Sequence, residues 1–456
     1  MLFMKTSSHF TKIIAGLVLL IIPGIIVVIF IGRTRPLAAP TFDKAGSKDV
    51  SMTAGLTLIF SEEMDSKSVE SRITSTPPLP FLFTWEGRKL ILTPKLTFPP
   101  GANVTLILSV GAKSADGRYY SEDHKWSFQV RSPRIIYLGE ATTSPEVWIS
   151  EPEKMLVRPI SRTGGKITGF SPFPDGSAIL ITKKNDQGGS DIYSLLADGT
   201  GEQIVVNCGK DTCRDAVVDK AATRIAFSRN QNPASSEPSK KFYLYTIELI
   251  SGTILPLYPD GVTQGVSPNW SPDGKKIAFY DPNALGIRIR DFDGNNDFLL
   301  GTSREQSGSW SPDSNKFIFV DDIIDNSLPY SNLYEVDIQT SSVSQLLRDK
   351  NGSEEYGSPV WSPDGKTVAM GVRQIDSGVT KQIWLFDFQE NTRKVITTNP
   401  TYINAAPQWK PDGNAIVFQQ AQLGASGIKP SVIVWDKIKD TFETITSDGA
   451  LPAWLP

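Results

Sequence analysis

The chain has 456 residues, 39% hydrophobic, 21% charged and 10% aromatic, which supplies apolar surface for a sizeable core and rules out a mainly disordered chain. A formal net charge of −3 gives no basic excess for nucleic acid, and two Cys with two His exclude a disulfide-rich scaffold, a multi-cysteine metal cluster and most histidine chemistry. Gly (36) and Pro (32) are abundant without a collagen period, so many turns and few long helices are expected.

Residues 13–32 form a run of 20 without a charge. A helix of that length spans about 30 Å, the thickness of a bilayer's hydrocarbon core. The run exceeds the apolar region of a typical signal peptide. The expectation is an uncleaved single-pass anchor with residues 1–36 as tail and span; cleavage near Ala39 is the rival. Lys5 and Lys12 on one side nearly balance Arg33 and Arg35 on the other, so charge alone does not orient the helix. The short tail and long downstream region favour an ectodomain outside the cytoplasm, in the periplasm or on the cell surface.

Residues 37–131 carry short strands separated by turn signals, the pattern of a β-sandwich. Strands are expected at 55–60, 89–94, 103–109 and 126–130. Three motifs punctuate them: Phe60-Ser61-Glu62-Glu63-Met64-Asp65, Leu90-Ile91-Leu92-Thr93-Pro94 and Trp126-Ser127-Phe128. On these motifs the segment resembles the SbsA-type bacterial Ig-like domain, which implies a surface spacer or adhesion module. Glu62, Glu63 and Asp65 could be a calcium site but read better as a solvated loop. His124 is expected at the surface.

From residue 132 the chain repeats. Trp270-Ser271-Pro272-Asp273-Gly274 recurs as Trp310-Ser311-Pro312-Asp313-Ser314, Trp361-Ser362-Pro363-Asp364-Gly365 and Trp409-Lys410-Pro411-Asp412-Gly413. Phe170 opens an inserted variant, Val218 a degenerate copy, and Trp454 a last copy at the C-terminus. These anchors stand 40 to 52 residues apart, the period of a propeller blade. Ser-Pro-Asp-Gly fits a type I turn between two strands. The recurring Trp is expected between neighbouring blades. Seven aromatic third strands are countable, and the orphan Pro452-Ala453-Trp454 is expected to complete the first blade, which lacks a Trp-type strand. The fold class is therefore all-β: a seven-bladed β-propeller, with six blades as runner-up, over residues 132–456. It follows an Ig-like β-sandwich and an N-terminal transmembrane helix.

The repeats resemble the TolB-like family, the WD40-like beta-propeller repeat. The resemblance implies a binding platform in the bacterial envelope. The same propeller accompanies hydrolase domains in serine peptidases, but the propeller segment here has no His and no Gly-x-Ser-x-Gly elbow. Asp321 and Asp322 are no better as a glycosidase pair than any surface Asp-Asp. Residues 291–297 are spaced loosely like a calcium loop and read better as a polar turn. No catalytic, cofactor or metal residue is assigned. The functional expectation is a membrane-anchored, non-catalytic binding or scaffold protein with a protein or cell-wall partner. A carbohydrate-active or peptide-cleaving enzyme is the alternative.

Cys208 and Cys213 are the chain's cysteines, separated by four residues in a connection between strands. They are expected to form a disulfide, which an oxidising compartment would preserve. Two free thiols, or half of a metal site, are the rivals.

Overall fold

The structure, a computed structural model, describes residues 21–22 and 36–456, apart from 231–240, 293–295, 307, 326–327, 349–352, 376–377, 379 and 425–428. Among the described residues no helix is long and apolar enough to cross a membrane. The expected span at 13–32 lies outside the described residues, except for the helical Ile21 and Ile22. The described chain divides into two compact units. One ends at Arg131, and the other runs from Ser132 to Pro456 with Ser51–Thr53 added.

The first unit is a sandwich of two antiparallel sheets. One has the order Thr41–Phe42, Leu56–Ile59, Lys89–Pro94, Phe81–Glu86, and the other Ile73–Thr76, Asn103–Leu108, His124–Gln129. Strict alternation places Leu56, Leu58, Leu90, Leu92, Val104, Leu106 and Leu108 in a fully buried core. A short helix, Ser66–Glu70, connects a strand of one sheet to a strand of the other, and its first turn is capped by Asp65 accepting from Ser68 N (3.1 Å). Glu62 pairs with Arg118. Two of the three carboxylates considered for calcium are thus occupied in holding the loop. His124 departs from the expected surface position: it is half-buried, its ring 4.6 Å edge-on from Tyr120.

In the second unit the strands form antiparallel meanders. Four-stranded sheets begin at Val266–Trp270, Ser309–Trp310, Glu354–Trp361 and Tyr402–Trp409, each strand pairing with the next in sequence. Residues 167–256 form an eight-stranded sheet, in which two such meanders meet through one parallel bridge, Ser190↔Thr212. The remaining sheet joins both ends of the unit. The C-terminal strand Gly449–Leu455 pairs antiparallel with Arg134–Gly139, matching Trp454 to Ile135 and Leu455 to Arg134. The first strand of each sheet lies against the first strand of the next, and the series closes where Gly449–Leu455 meets Ile167–Pro172. With the series closed, the unpaired outer edge of each sheet is that of its last strand.

The repeat motif explains itself in hydrogen bonds. Ser271 Oγ donates to Asp273 Oδ1 (2.6 Å) and accepts from Lys276 N (2.9 Å), while Gly274 N closes the turn onto Ser271 O (2.8 Å). The turn around Ser311 repeats all three bonds. Gly274 has φ +71°, a left-handed position that glycine occupies without strain. In the degenerate copy Asp219 replaces the serine, accepting from Thr223 N (2.7 Å) and Arg224 N (3.0 Å).

The indoles link neighbouring sheets as expected. Trp270 Nε1 donates to Val217 O (3.2 Å), Trp310 to Asn269 O (3.1 Å), Trp409 to Val360 O (3.3 Å) and Trp454 to Gln408 O (3.1 Å). Each acceptor sits one residue before the preceding anchor. Trp361 is the exception, its indole N–H buried without a partner.

Candidate functional site

Each sheet's first strand has one edge that no strand of its own sheet covers along its length, and these edges bound the axis of the ring. A bulge interrupts these strands, at 167/169, 214/217, 266/269, 357/360, 405/408 and 450/453. At the bulge the backbone turns left-handed: Asp215 (φ 55°), Ser267 (53°), Ser358 (50°), Ala406 (51°) and Leu451 (52°), with Gly308 (68°) beside Trp310. Bulges aim side chains away from the ladder and are frequent where a site is built.

On one side of the axis the edges frame a cavity of about 750 Å3. Four consecutive inner strands contribute Gly169, Asp215, Ser267 and Leu451, and Lys184, Ser190 and Thr212 also line it. The wall between the first two of these strands is tightly braced. Asn185 Nδ2 donates to Gly209 O (2.7 Å) and to Asp191 Oδ1 (3.0 Å), the same oxygen that accepts from Cys208 N (2.7 Å). Ser190 Oγ donates to Cys213 O (2.5 Å). A side chain at Gly189 would meet Asp211 O at 2.2 Å, so only glycine lets the two loops approach. Cys208 and Cys213, both buried, are bonded in this wall with their Cα atoms 6.3 Å apart.

In later sheets the corresponding connections carry a charged network. Arg304 Nε donates to Asp322 Oδ2 (2.6 Å), its Nη1 to Tyr356 O (2.6 Å), and its Nη2 to Ser331 Oγ (3.0 Å) and Glu355 Oε1 (3.3 Å). Arg373 Nη2 (2.7 Å) and Lys381 Nζ (2.9 Å) also reach Glu355. Burial alone would raise the pKa of Asp322. Hydrogen bonds from Arg304 and Ser331, with the Arg304 and Lys381 charges, outweigh it and hold the carboxyl below its ordinary range. Glu355 is likewise pushed up by burial, but its net shift is downward through Lys381, Arg373 and Arg304. The expected surface pair at 321–322 is therefore split: Asp322 is a bridge between sheets, and Asp321 accepts from Ser303 N (3.3 Å). At 291–297 the described ends belong to two paired strands, with Asp297 beside Arg288 (3.5 Å). Residues 293–295 lie outside the described residues. No group of three His, Cys, Asp or Glu among the described residues could hold a metal ion.

Sequence reasoning found the cysteines of the cavity wall but not the bulge residues. A signal was present: proline stands two residues before Trp in Ser267-Pro268, Ser358-Pro359, Ala406-Pro407 and Leu451-Pro452. Proline follows the left-handed residue each time and supplies no N–H. The Arg304 network had no local signal, because its members come from six separate places in the sequence.

Residues 33–130 match the bacterial Ig-like domain family, and residues 281–431 match the TolB beta propeller domain family. No curated protein matches the chain. Among solved structures, TolB from Acinetobacter baumannii is similar at 15% identity, covering 92% of this chain and 100% of that one, with a TM-score of 0.42. The β-propeller domain of the Trilobed protease from Pyrococcus furiosus is 12% identical over 76% of this chain and 93% of that one, with a TM-score of 0.48. An oligogalacturonate lyase from Vibrio parahaemolyticus is 13% identical over 62% and 74%, with a TM-score of 0.42. The chain thus carries a segment that matches the bacterial Ig-like domain family, followed by one that matches the TolB beta propeller domain family.

Proposed function

We propose that this protein is a membrane-anchored, extracytoplasmic binding protein whose propeller is the binding head. The apolar run at 13–32 is the anchor, and the Ig-like domain is the spacer that presents the propeller. The propeller has seven blades: the eight-stranded sheet counts as two, divided at its parallel bridge, and the C-terminal strand completes the first blade. The axial cavity receives an extended segment of a protein partner, which hydrogen-bonds to the exposed backbone of the inner strands and fills the space between them. The observation that carries this reading is the cavity of about 750 Å3 bounded by strand edges and braced by a bonded cysteine pair. A site of this volume, with few charged groups among hydroxyls and apolar walls, suits recognition.

Asp322 and Glu355, both held below the ordinary carboxylate range, are poorly suited to act as general acids. The cysteine bridge persists in the mature protein if the propeller is outside the cytoplasm.

Photo-crosslinking in the native membrane tests the reading. A photoreactive residue replacing Thr212 or Ser267 is expected to trap the same partner, and one replacing Phe442 on an outer strand is not. Adducts formed at Phe442 alone would reject the axial cavity as the binding site.

A further inference from the structure

We propose that the Ig-like domain stands on the membrane surface through the end that carries Tyr119, with the Tyr119 ring seated in the lipid headgroup layer. This rests on the reading of residues 13–32 as an uncleaved anchor and adds how the spacer meets the bilayer.

Chain length sets the geometry. The apolar run ends at Gly32, and Arg33, Thr34 and Arg35 separate it from Pro36. A fully extended chain advances at most about 3.6 Å per residue, so Pro36 stands no more than about 14 Å from the end of the run. Headgroups take up about 5–8 Å of that distance on each side of a bilayer. From Leu37 onward the chain is fixed to the domain: Leu37 is buried, and Tyr120 Oη donates to Ala38 O (3.1 Å). Pro36 and Leu37 line a hollow of about 660 Å3 together with Arg118, Tyr119, Tyr120 and His124. The loop at 116–122 is therefore the part of the domain beside the point where the chain leaves the anchor.

The side chains at this end suit an interface. Tyr119 is 62% exposed and Val110, whose N–H donates to Asp123 Oδ1 (3.0 Å), is 50% exposed. A tyrosine couples an apolar ring to a hydroxyl, the combination that settles at headgroup level. The basic groups here are engaged with acids: Arg118 with Glu62 and Asp116, Lys125 with Asp123 (3.7 Å). The contact is therefore aromatic and apolar and does not call for anionic lipid. The domain also supplies a matched control. Thr41 pairs with Ile59 and Ile59 with Lys89, so the Lys89 end of strand Lys89–Pro94 lies near the entry of the chain and the Pro94 end away from it. Leu96, 63% exposed, follows Pro94.

The test uses the full chain in phosphatidylcholine vesicles that contain a lipid spin-labelled on its headgroup. A bimane fluorophore is placed on Tyr119→Cys, on Glu122→Cys as a second exposed position of the same loop, or on Leu96→Cys. Cys208 and Cys213 are bonded to each other and take no label. Quenching is expected to be at least about three-fold stronger at 119 and 122 than at 96, and Tyr119→Ser is expected to weaken it at 122. A carbonate wash reports separately on the anchor, which is expected to keep the protein with the vesicles. Protein that stays with the vesicles but is quenched equally at 96, 119 and 122, or at none of them, overturns the membrane contact and leaves the anchor standing. Quenching at 122 that Tyr119→Ser leaves unchanged overturns the seating of Tyr119, because the short tether alone would then hold the loop near the lipid. Release of the protein by carbonate overturns the contact and the anchor together.

Discussion

Arg304 holds together parts of the ring that no backbone ladder joins. Its guanidinium reaches Asp322, Ser331, Tyr356 O and Glu355, and its side chain is 13% exposed. Arg304→Ala leaves Asp322 partly buried without its main donor and takes from Glu355 one of its three cationic partners. Removing one partner of a fully buried pair costs about 3–5 kcal/mol. Asp322 stays about a third exposed, and screening lowers the expectation to about 2–3 kcal/mol, measurable by chemical denaturation. The sign of the pH dependence follows from the lowered pKa values of Asp322 and Glu355. Their stabilisation is fully present above the ordinary carboxylate pKa of about 4 and is lost as pH falls through the lower folded-state values. Melting temperatures at pH 7 and pH 3 are expected to differ less in Arg304→Ala than in the parent. An equal or larger drop in the variant would mean that other carboxylates set the acid limit. None of this network was legible in the sequence, since each member alone looks like an ordinary surface charge.

The strands and turns were the most legible part, because their causes are local. The Ser-Pro-Asp-Gly turn forms from its own side chains, and four of the indoles bond where the repeat spacing places them. The Ig-like unit was read less fully. Strands Ile73–Thr76 and Phe81–Glu86 were missed because Phe81, Leu82 and Phe83 break the alternation and prolines at 77, 78 and 80 surround them. The C-terminal strand was inferred from an orphan motif, and its pairing with Arg134–Gly139 gives that inference a physical form. Leu455 is fully buried in the cluster that includes Ile136 and Ile149. Leu455→Ala is expected to cost about 2–5 kcal/mol, and deletion of residues 449–456 more, because the edge of Arg134–Gly139 is then uncovered. Truncated protein that melts with the intact protein would refute closure through this strand. The short loop closed by Cys208 and Cys213 limits the bridge's entropic contribution to about 2 kcal/mol. Its larger effect is on the cavity wall. Thiol titration of denatured, unreduced protein is expected to find no free thiol, and reduction is expected to speed hydrogen exchange at 184–190 and 207–216 more than elsewhere.

Under the proposed function the propeller binds and the Ig-like domain serves as spacer. The cavity escaped the sequence reading because residues from 168 to 451 meet only when the ring closes. Which residues converge on an axis depends on bulges whose left-handed backbone no single repeat reveals. The anchor is tested separately: N-terminal sequencing of membrane-extracted protein is expected to retain residues 13–32, and a mature start near Ala39 or Pro40 would replace the anchor with a cleaved leader. The binding site itself is tested by hydrogen–deuterium exchange on the full chain, with and without a saturating partner identified by crosslinking. Protection is expected at residues 167–172, 212–218, 266–270 and 449–455, which surround the cavity. Protection confined to the outer strands or to the Ig-like domain, with these four segments unchanged, would contradict the account.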